Sequence, residues 1–190
     1  MHKPEFSLEK DSKGRPVISI YIATSIDSYI AREDGSLDWL DRVNDNEDYG
    51  FQKFLDSIDT VILGRKTYEI VTGLIASFSD WPYIGKRVIV LSSSLQTIRK
   101  EVELFTGNLI QLTSQLHLEG VKHIWIDGGV TISQFLDHQL VDTMTLSIIP
   151  VILGSGIPLF SVINKELPCH LVSSQCSPSG LVKLKYELTR

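Results

Sequence analysis

The sequence is poor in cysteine, has no long apolar run and shows no excess of positive charge. Its two cysteines, Cys169 and Cys176, lack the spacing of a zinc site or a redox motif, which favours structural thiols. No stretch approaches the roughly 20 apolar residues that a transmembrane helix needs. The formal net charge of −5 argues against a general nucleic-acid-binding protein, which usually carries a basic face.

The rest of the composition is that of an ordinary globular protein. With 190 residues, of which 43% are hydrophobic, the chain can build one domain with a sizeable core. Residues 1–16 are polar and are interpreted as a lead-in, and residues 17–190 are predicted to form a single domain. Because the N-terminus lacks the apolar core of a signal peptide, we expect a cytoplasmic protein with no membrane or nucleic-acid partner.

Hydrophobic periodicity predicts strands and helices in alternation. Nearly continuous apolar runs, typical of strands buried on both faces, occur at residues 17–23, 60–63, 87–91 and 122–126. Helical patterns follow these runs, beginning near Asp48 and covering 66–72, 109–118 and 132–140. This alternation predicts a mostly parallel sheet with helices on both faces.

Near the C-terminus the hydrophobic period changes to two. Apolar and polar residues alternate at 143–148 and 182–188, which is typical of antiparallel strands with one solvated face. A turn sequence at 177–180 predicts a hairpin that joins residues 170–176 to the last strand. The predicted fold class is therefore α/β, a three-layer α/β/α fold whose mostly parallel central sheet ends in an antiparallel C-terminal hairpin.

Two of the buried strands end in glycine-bearing turns that lead into helices. Residues 64–69 read GRKTYE, and residues 127–132 read DGGVTI. The first N–H groups of a helix have no intrahelical partner, so each turn is a potential anion site. Two such sites in one small domain predict a ligand with two separated phosphate groups, and a dinucleotide fits that description. Alternatively, the glycines serve only tight strand-to-helix turns.

The first turn also carries positive charge and a hydroxyl group. Arg65, Lys66 and Thr67 together suit a dianionic monophosphate, such as the 2′-phosphate that distinguishes NADP from NAD. A charge-assisted contact of this kind contributes about 1.5–3 kcal/mol. In the alternative interpretation, Arg65 is simply a surface cation.

Four motifs in order along the chain resemble those of a known family. Residues 62–69 resemble the GRxT(Y/W)E signature of the dihydrofolate reductase-like superfamily, and residues 127–136 resemble its second glycine motif. Residues 23–31 resemble the AxSxDGxIA opening of the riboflavin-biosynthesis reductase (RibD C-terminal domain) branch. Residues 141–142 and 149–160 resemble the C-terminal block of that branch. The resemblance covers residues 17–188.

The resemblance implies an NADPH-dependent reductase, in which the cofactor supplies the hydride. It implies that Ala23 and Ile30 flank the nicotinamide and that Ile132 approaches the nicotinamide side. The other cofactor-binding residues that it implies are Gly64, Arg65, Lys66 and Thr67 for adenosine-side phosphates, Leu91, Ser92 and Ser93 beside the adenosine, and Gly128, Gly129, Val130 and Thr131 for the pyrophosphate. It implies no metal.

The chain departs from the family pattern in the loop after the first strand and leaves the proton donor open. Ser28 stands where the branch usually has glycine, so the loop is expected to differ in shape. Asp48 is the candidate catalytic acid, because apolar surroundings would raise the pKa of a carboxyl that binds an aminopyrimidine edge. The alternative, which we favour, is that Asp48 caps the following helix. Asp127 is likewise interpreted as a helix cap rather than a catalytic group.

The substrate is predicted to be a small heterocycle. The riboflavin reductases act on a ribityl- or ribosyl-phosphate pyrimidine, whereas this chain has an acidic stretch at the corresponding place, which would repel a phosphate. The acidic residues are Asp34, Asp38, Asp41, Asp45, Glu47 and Asp48, with Arg42 among them. Aromatic residues that could line a pocket for a flat ring are Trp39, Tyr49, Phe51 and Phe54, although most of these are expected in the core.

Three functional hypotheses remain from the sequence. The first is a reductase of a pterin- or aminopyrimidine-like heterocycle, the second a catalytically silent nucleotide-binding protein of the same fold, and the third a protein for another nucleotide such as a flavin. The alternating C-terminal strands offer edges that could pair with a second copy, so we also expect a homodimer.

Overall fold

A computed structural model describes residues 15–43, 47–75, 81–96, 98–161 and 163–189. Segments rich in Val and Ile form its central strands, because β-branched side chains pack well on a pleated surface. The strands are β1 (Val17–Thr24), β2 (Tyr29–Ala31), β3 (Thr60–Gly64), β4 (Arg87–Leu91), β5 (Val102–Phe105), β6 (His123–Asp127), β7 (Thr143–Ile148), β8 (Ile157–Pro158), β9 (Cys169–Cys176) and β10 (Val182–Leu188). The helices are a 3-10 helix (Asp38–Val43), α1 (Phe51–Asp56), α2 (Arg65–Ile75), α3 (Leu109–Leu118) and α4 (Gly129–Asp137).

The main sheet has eight strands in the order β5-β4-β3-β6-β1-β7-β10-β9. The strands from β5 to β7 run parallel, with Ile20 of β1 opposite Ile126 of β6 and Met144 of β7. Strand β10 is antiparallel to both β7 and β9. The prediction of a mostly parallel sheet with an antiparallel C-terminal hairpin is confirmed.

Each face of the sheet is covered by its own pair of helices. On one face, Ile20 and Ile126 pack with α3 and α4 in the largest core cluster. On the other face, Leu63 and Trp125 pack with side chains of α1 and α2. The alternation of side chains along each strand produces this division, because successive residues point to opposite faces. The predicted three layers are therefore confirmed.

Four short elements were not predicted from the sequence: β2, β5, β8 and the 3-10 helix. Strand β5 has four residues, β2 pairs with β8 in a separate two-stranded sheet, and the 3-10 helix has six residues. Such short segments hold too few residues to show a hydrophobic period. The helix predicted to begin near Asp48 begins at Phe51.

The two ends of the described chain differ in their contacts and exposure. Most of the lead-in, residues 1–14, lies outside the described residues, while Arg15 forms an ion pair of 2.7 Å with Asp142. At the other end, β9 is the outer strand, and both Cys169 and Cys176 lie on it as exposed free thiols. Within the described ranges, no helix is long and apolar enough to cross a bilayer.

Candidate functional site

A cleft of about 1070 Å³ opens where the parallel strands end. The carboxyl ends of such strands are where ligands bind in open α/β sheets. We call the lining residues within 64–71, 91–93, 105–109 and 128–138 the glycine half. The other lining residues form the aromatic half, whose main members are Tyr21, Ala23, Ile30, Leu37, Leu40, Asp48, Tyr49, Phe51, Trp125, Asp127, Ser147, Ile149 and Leu181.

The two glycine turns lie against each other in the glycine half. A Cβ at Gly64 would come within 2.7 Å of Thr131 Oγ1, and a Cβ at Gly128 would collide with Thr67 Oγ1. Gly128 also has φ of +92°, a conformation that other residues rarely adopt. The N-termini of α2 and α4 therefore face one cleft, and each turn needs glycine to make room for the other.

The third glycine of these turns, Gly129, has a different neighbour. A Cβ there would lie 2.5 Å from the backbone oxygen of Pro158 in β8 and 3.4 Å from Ile30 Cδ1 in β2. The small two-stranded sheet is therefore packed directly on the start of α4. This contact brings Ile30 to the same cleft as the second glycine turn.

The basic residues of the first turn are exposed at the mouth of the glycine half. Arg65 donates a hydrogen bond of 2.9 Å to Ser94 Oγ and forms an ion pair of 3.1 Å with Glu69. An exposed ion pair of this kind contributes little to stability. The guanidinium is thus held beside the loop after β4 and is accessible to an anion.

Every cofactor residue implied by the resemblance lines this cleft except Ile132. The side chain of Ile132 is fully buried in the core cluster under α4, with Phe135 and Leu136. Helical geometry explains the difference, because the first turn of α4 faces the cleft with its backbone while Ile132 points to the sheet. The structure therefore places Ile132 in the core, away from the expected nicotinamide contact.

Aromatic rings in edge-on contact form the wall of the aromatic half. Phe51 packs edge-on against Tyr21 and Trp125, with ring centroids 5.5 and 5.6 Å apart. Of the four aromatic residues considered from the sequence, Tyr49 and Phe51 line the cleft. Trp39 is buried in a separate core cluster and Phe54 of α1 packs against the core, so two of the four lie in the core, where most had been expected.

Tyr49 has an unusual backbone conformation at the edge of the aromatic half. Its φ is +52°, and its carbonyl oxygen accepts hydrogen bonds from Tyr21 Oη at 3.0 Å and Lys183 Nζ at 2.5 Å. The Tyr49 hydroxyl lies 2.9 Å from Ser179 Oγ. Side chains from β1, β10 and the turn before β10 thus hold this residue in place.

Asp48 lines the cleft, but its environment is the opposite of the expected one. Its carboxylate is exposed and accepts hydrogen bonds from the backbone N–H of Gly50 at 2.7 Å and of Gln52 at 3.2 Å. These hydrogen bonds lower the pKa of Asp48, with a smaller contribution from Lys183. The expectation of a raised pKa is wrong. The favoured alternative, a cap of the following helix, agrees with the hydrogen bond from Gln52 in the first turn of α1, although the N-cap position itself is Gly50.

Asp127 has the properties that were expected of Asp48. It ends β6 on the same face as Trp125, is half-buried and accepts one hydrogen bond, of 2.8 Å, from the N–H of Gly128. Burial raises the pKa of Asp127 to about 6. The residue was interpreted as a helix cap, yet the N-cap is Gly128. The signal available in the sequence was a carboxylate at the end of a buried strand, directly before the second glycine pair.

The part of the chain that the structure describes contains no group of three or more His, Cys, Asp or Glu side chains arranged for a metal ion.

Comparison with known proteins bears on what the cleft does. A family model for the RibD C-terminal domain matches residues 16–183. The uncharacterized protein YwjB of Bacillus subtilis (strain 168) is 40% identical over 154 residues, which cover 80% of this chain and 87% of that protein.

Solved structures extend the similarity to the fold. A protein of Shewanella sp. PV-4, provisionally named for riboflavin biosynthesis, matches with a TM-score of 0.84 and 34% identity, covering 92% of this chain and 99% of that chain. The dihydrofolate reductase of Enterococcus faecalis, crystallised with NADP(H), matches with a TM-score of 0.66 and 16% identity, covering 92% of this chain and 97% of that chain. With its sheet order and both glycine turns in place, the chain has the dihydrofolate reductase-like fold and belongs to the RibD C-terminal domain family.

Proposed function

We propose that this protein is an NADPH-dependent reductase of a pterin- or aminopyrimidine-like heterocycle. The observation that carries the proposal is the pair of interlocked glycine turns, in which Thr67 lies against Gly128 and Thr131 against Gly64. This packing directs two helix N-termini into a single cleft. Membership in the RibD C-terminal domain family supports a reductase role.

The donor groups of the glycine half fit the phosphates of NADPH. The N-terminal amides of α4 at residues 129–131 would bind the pyrophosphate, because they lack intrahelical acceptors and carry the positive end of the helix dipole. The N–H of Gly128 already donates to Asp127 Oδ1. Arg65 and Lys66 would bind the 2′-phosphate, with residues 91–93 beside the adenosine. Ala23 and Ile30 would contact the nicotinamide, which supplies the hydride when bound.

Asp127 is the proposed source of the proton that accompanies hydride transfer. A carboxyl with a pKa of about 6 is partly protonated near neutral pH, so it can donate to a ring nitrogen. It lines the aromatic half at the end of β6, and the next residue, Gly128, belongs to the glycine half. Asp48 is too acidic for this role, because its carboxylate is stabilised by two backbone N–H groups.

Two measurements on the purified protein test the proposal. NADPH and NADH binding is followed by thermal shift and by quenching of tryptophan fluorescence, and NADPH oxidation is followed by absorbance with a panel of pterins and aminopyrimidines. We expect NADPH to bind more tightly than NADH and to be oxidised by at least one heterocycle. NADPH binding without oxidation across the panel would favour the silent nucleotide-binding protein, and tight binding of a flavin instead would favour the third hypothesis.

We also propose that the protein forms a cytoplasmic homodimer through β9. This outer strand is exposed along its eight residues, including Leu171 and Val172, and its free edge could pair with an antiparallel copy. Light scattering should give the mass of a dimer, and Leu171→Lys should give a monomer. Leu118→Lys, which adds the same charge at an exposed position of α3, should leave the mass unchanged. A monomeric parent protein would refute the proposal.

A further inference from the structure

The basic side chains of the cleft are confined to its glycine half. Among the described residues that line the cleft, these are Arg65, Lys66 and His138. Arg65 and Lys66 begin α2, and His138 follows α4 with its Nδ1 2.9 Å from the carbonyl oxygen of Gln134. Positive charge is therefore available where the phosphates of a dinucleotide would lie, and it is concentrated there.

The aromatic half carries carboxylates instead. Asp127 ends β6 and Asp48 precedes α1, and both line the cleft. A neighbouring cavity of about 700 Å³ shares Asp48 and Tyr49 with it and adds Glu47 and Lys183. Lys183 is already engaged, because its Nζ donates to the Tyr49 carbonyl at 2.5 Å and its charge faces Asp48. Even with Lys183 included, acidic groups outnumber basic ones.

Two backbone amides of this half are also engaged. A phosphoryl group is commonly bound by N–H groups at the start of a helix, as proposed for the glycine half. In the aromatic half, the amides before and within the first turn of α1, those of Gly50 and Gln52, already donate to the Asp48 carboxylate. A second anion at this place would compete with a negative charge that belongs to the protein.

The remaining surface of the aromatic half suits a flat ring. Tyr21, Phe51 and Trp125 form a set of edge-on contacts that fixes their orientation. The faces of such rings are electron-rich, so they attract planar neutral or cationic groups more than anions. Leu40, Ile149 and Leu181 complete an apolar wall.

We propose that the substrate of this protein carries no phosphoryl group and binds as a neutral or positively charged planar heterocycle with a ring-nitrogen edge toward Asp127. This inference rests on the proposed function and restricts its substrate. The ribosyl- or ribityl-phosphate pyrimidines of the riboflavin reductases are thereby excluded as preferred substrates. The family fold is retained, while the aromatic half of the cleft carries the carboxylates of Asp48 and Asp127.

A matched pair of ligands tests the inference directly. Binding of ribitylaminouracil and of its 5′-phosphate to the NADPH-loaded protein is measured by calorimetry, so that the two ligands differ by one phosphoryl group. We expect the unphosphorylated compound to bind at least about tenfold more tightly, as expected for repulsion by partly buried charges. Added salt should narrow this difference, because it screens the repulsion. Equal or tighter binding of the phosphate, or no binding of either compound, would overturn the inference.

Variants identify the charge responsible. Asp127→Asn should narrow the preference for the unphosphorylated compound, whereas Glu166→Gln removes the same charge at an exposed position outside the cleft and should leave the preference intact. Lys183→Met should not weaken binding of the phosphate selectively, since Lys183 is engaged by Tyr49; a selective loss would contradict the inference. If the protein fails to bind NADPH at all, the proposed function fails, and if it binds NADPH but prefers the phosphate, only the present inference fails.

Discussion

The two halves of the cleft are built by different means. The glycine half is shaped by backbone, with turns at Gly64 and Gly128 that allow two helices to begin close together. The aromatic half is shaped by side chains from β1, β6 and β7 and from the segment that contains Tyr49 and Phe51. A backbone site can bind the constant part of a ligand in many relatives, whereas a side-chain site can change its substrate by substitution. Under the proposed function, the glycine half would bind the cofactor and the aromatic half would determine the substrate.

The largest expected effect is a loss of activity in Asp127→Asn that leaves NADPH affinity nearly unchanged. Asp127→Asn should lower the rate of NADPH oxidation by about 10²–10⁴-fold, the usual contribution of a general acid. NADPH affinity should stay within about threefold, because the change removes a charge and leaves the Gly128 turn in place. Steady-state kinetics with the best heterocycle and a binding titration check both values. A parallel loss of affinity and rate would show that Asp127 shapes the cofactor site instead.

The pH dependence of the reaction tests whether Asp127 or Asp48 is the acid. Because burial raises the pKa of Asp127 to about 6, its protonated fraction and kcat/KM should fall as pH rises through that value. Asp48→Asn should retain this descending limb, since the pKa of Asp48 is lowered by hydrogen bonds from Gly50 and Gln52. Asp127→Asn should lose it. If the decline of kcat/KM with rising pH disappeared in Asp48→Asn, Asp48 would be the acid instead of Asp127.

The next largest effect concerns the backbone of the glycine half. Gly128→Ala places a Cβ against Thr67 Oγ1 and imposes a strained φ of +92°, so the two turns must separate. We expect NADPH affinity to fall about 100-fold, because the helix amides lose their alignment. Gly73→Ala is the matched control, since a Cβ there, in the last turn of α2, meets nothing within 4 Å. Unchanged NADPH affinity in Gly128→Ala would remove the main support for the dinucleotide site.

A smaller effect should distinguish the two coenzymes. Arg65→Ala is expected to weaken NADPH binding about tenfold or more, the value of a charge-assisted contact to phosphate, and to change NADH binding little. Its present partners, Ser94 and Glu69, are exposed and contribute little to folding. Thermal shift with each coenzyme measures the difference. Equal losses would mean that Arg65 does not contact the 2′-phosphate.

The glycine half was predictable from sequence because its signal is local. A buried strand, a glycine and a helical pattern follow one another within about ten residues, and Gly64 and Gly128 occupy the expected positions. Ile132 was misplaced because one residue along a helix rotates the side chain by about 100°. The motif locates the turn, while the direction of each side chain depends on helical phase.

The aromatic half was less predictable because its contacts are distant in sequence. The environment of Asp48 depends on a turn whose backbone bends at Tyr49, and Tyr49 is held by Tyr21 and Lys183. The two N–H groups that meet its carboxylate are local, only two and four residues further along, and the helix-cap alternative anticipated partners of this kind. Asp127 was identified as a carboxylate near the ligand, but its raised pKa depends on burial by neighbouring strands.

The smallest expected effect lies in the loop after β1, where the chain departs from its family. Ser28 has φ of +65°, a conformation that costs a residue with a Cβ about 1 kcal/mol and glycine almost nothing. Ser28→Gly should therefore stabilise the protein by up to about 1 kcal/mol, because the backbone N–H and carbonyl of residue 28 keep their partners Ser25 and Leu159. Ser114→Gly, the same change inside α3, should destabilise it. Urea unfolding of both variants measures the difference, and destabilisation by Ser28→Gly would mean that the serine side chain itself supports the loop.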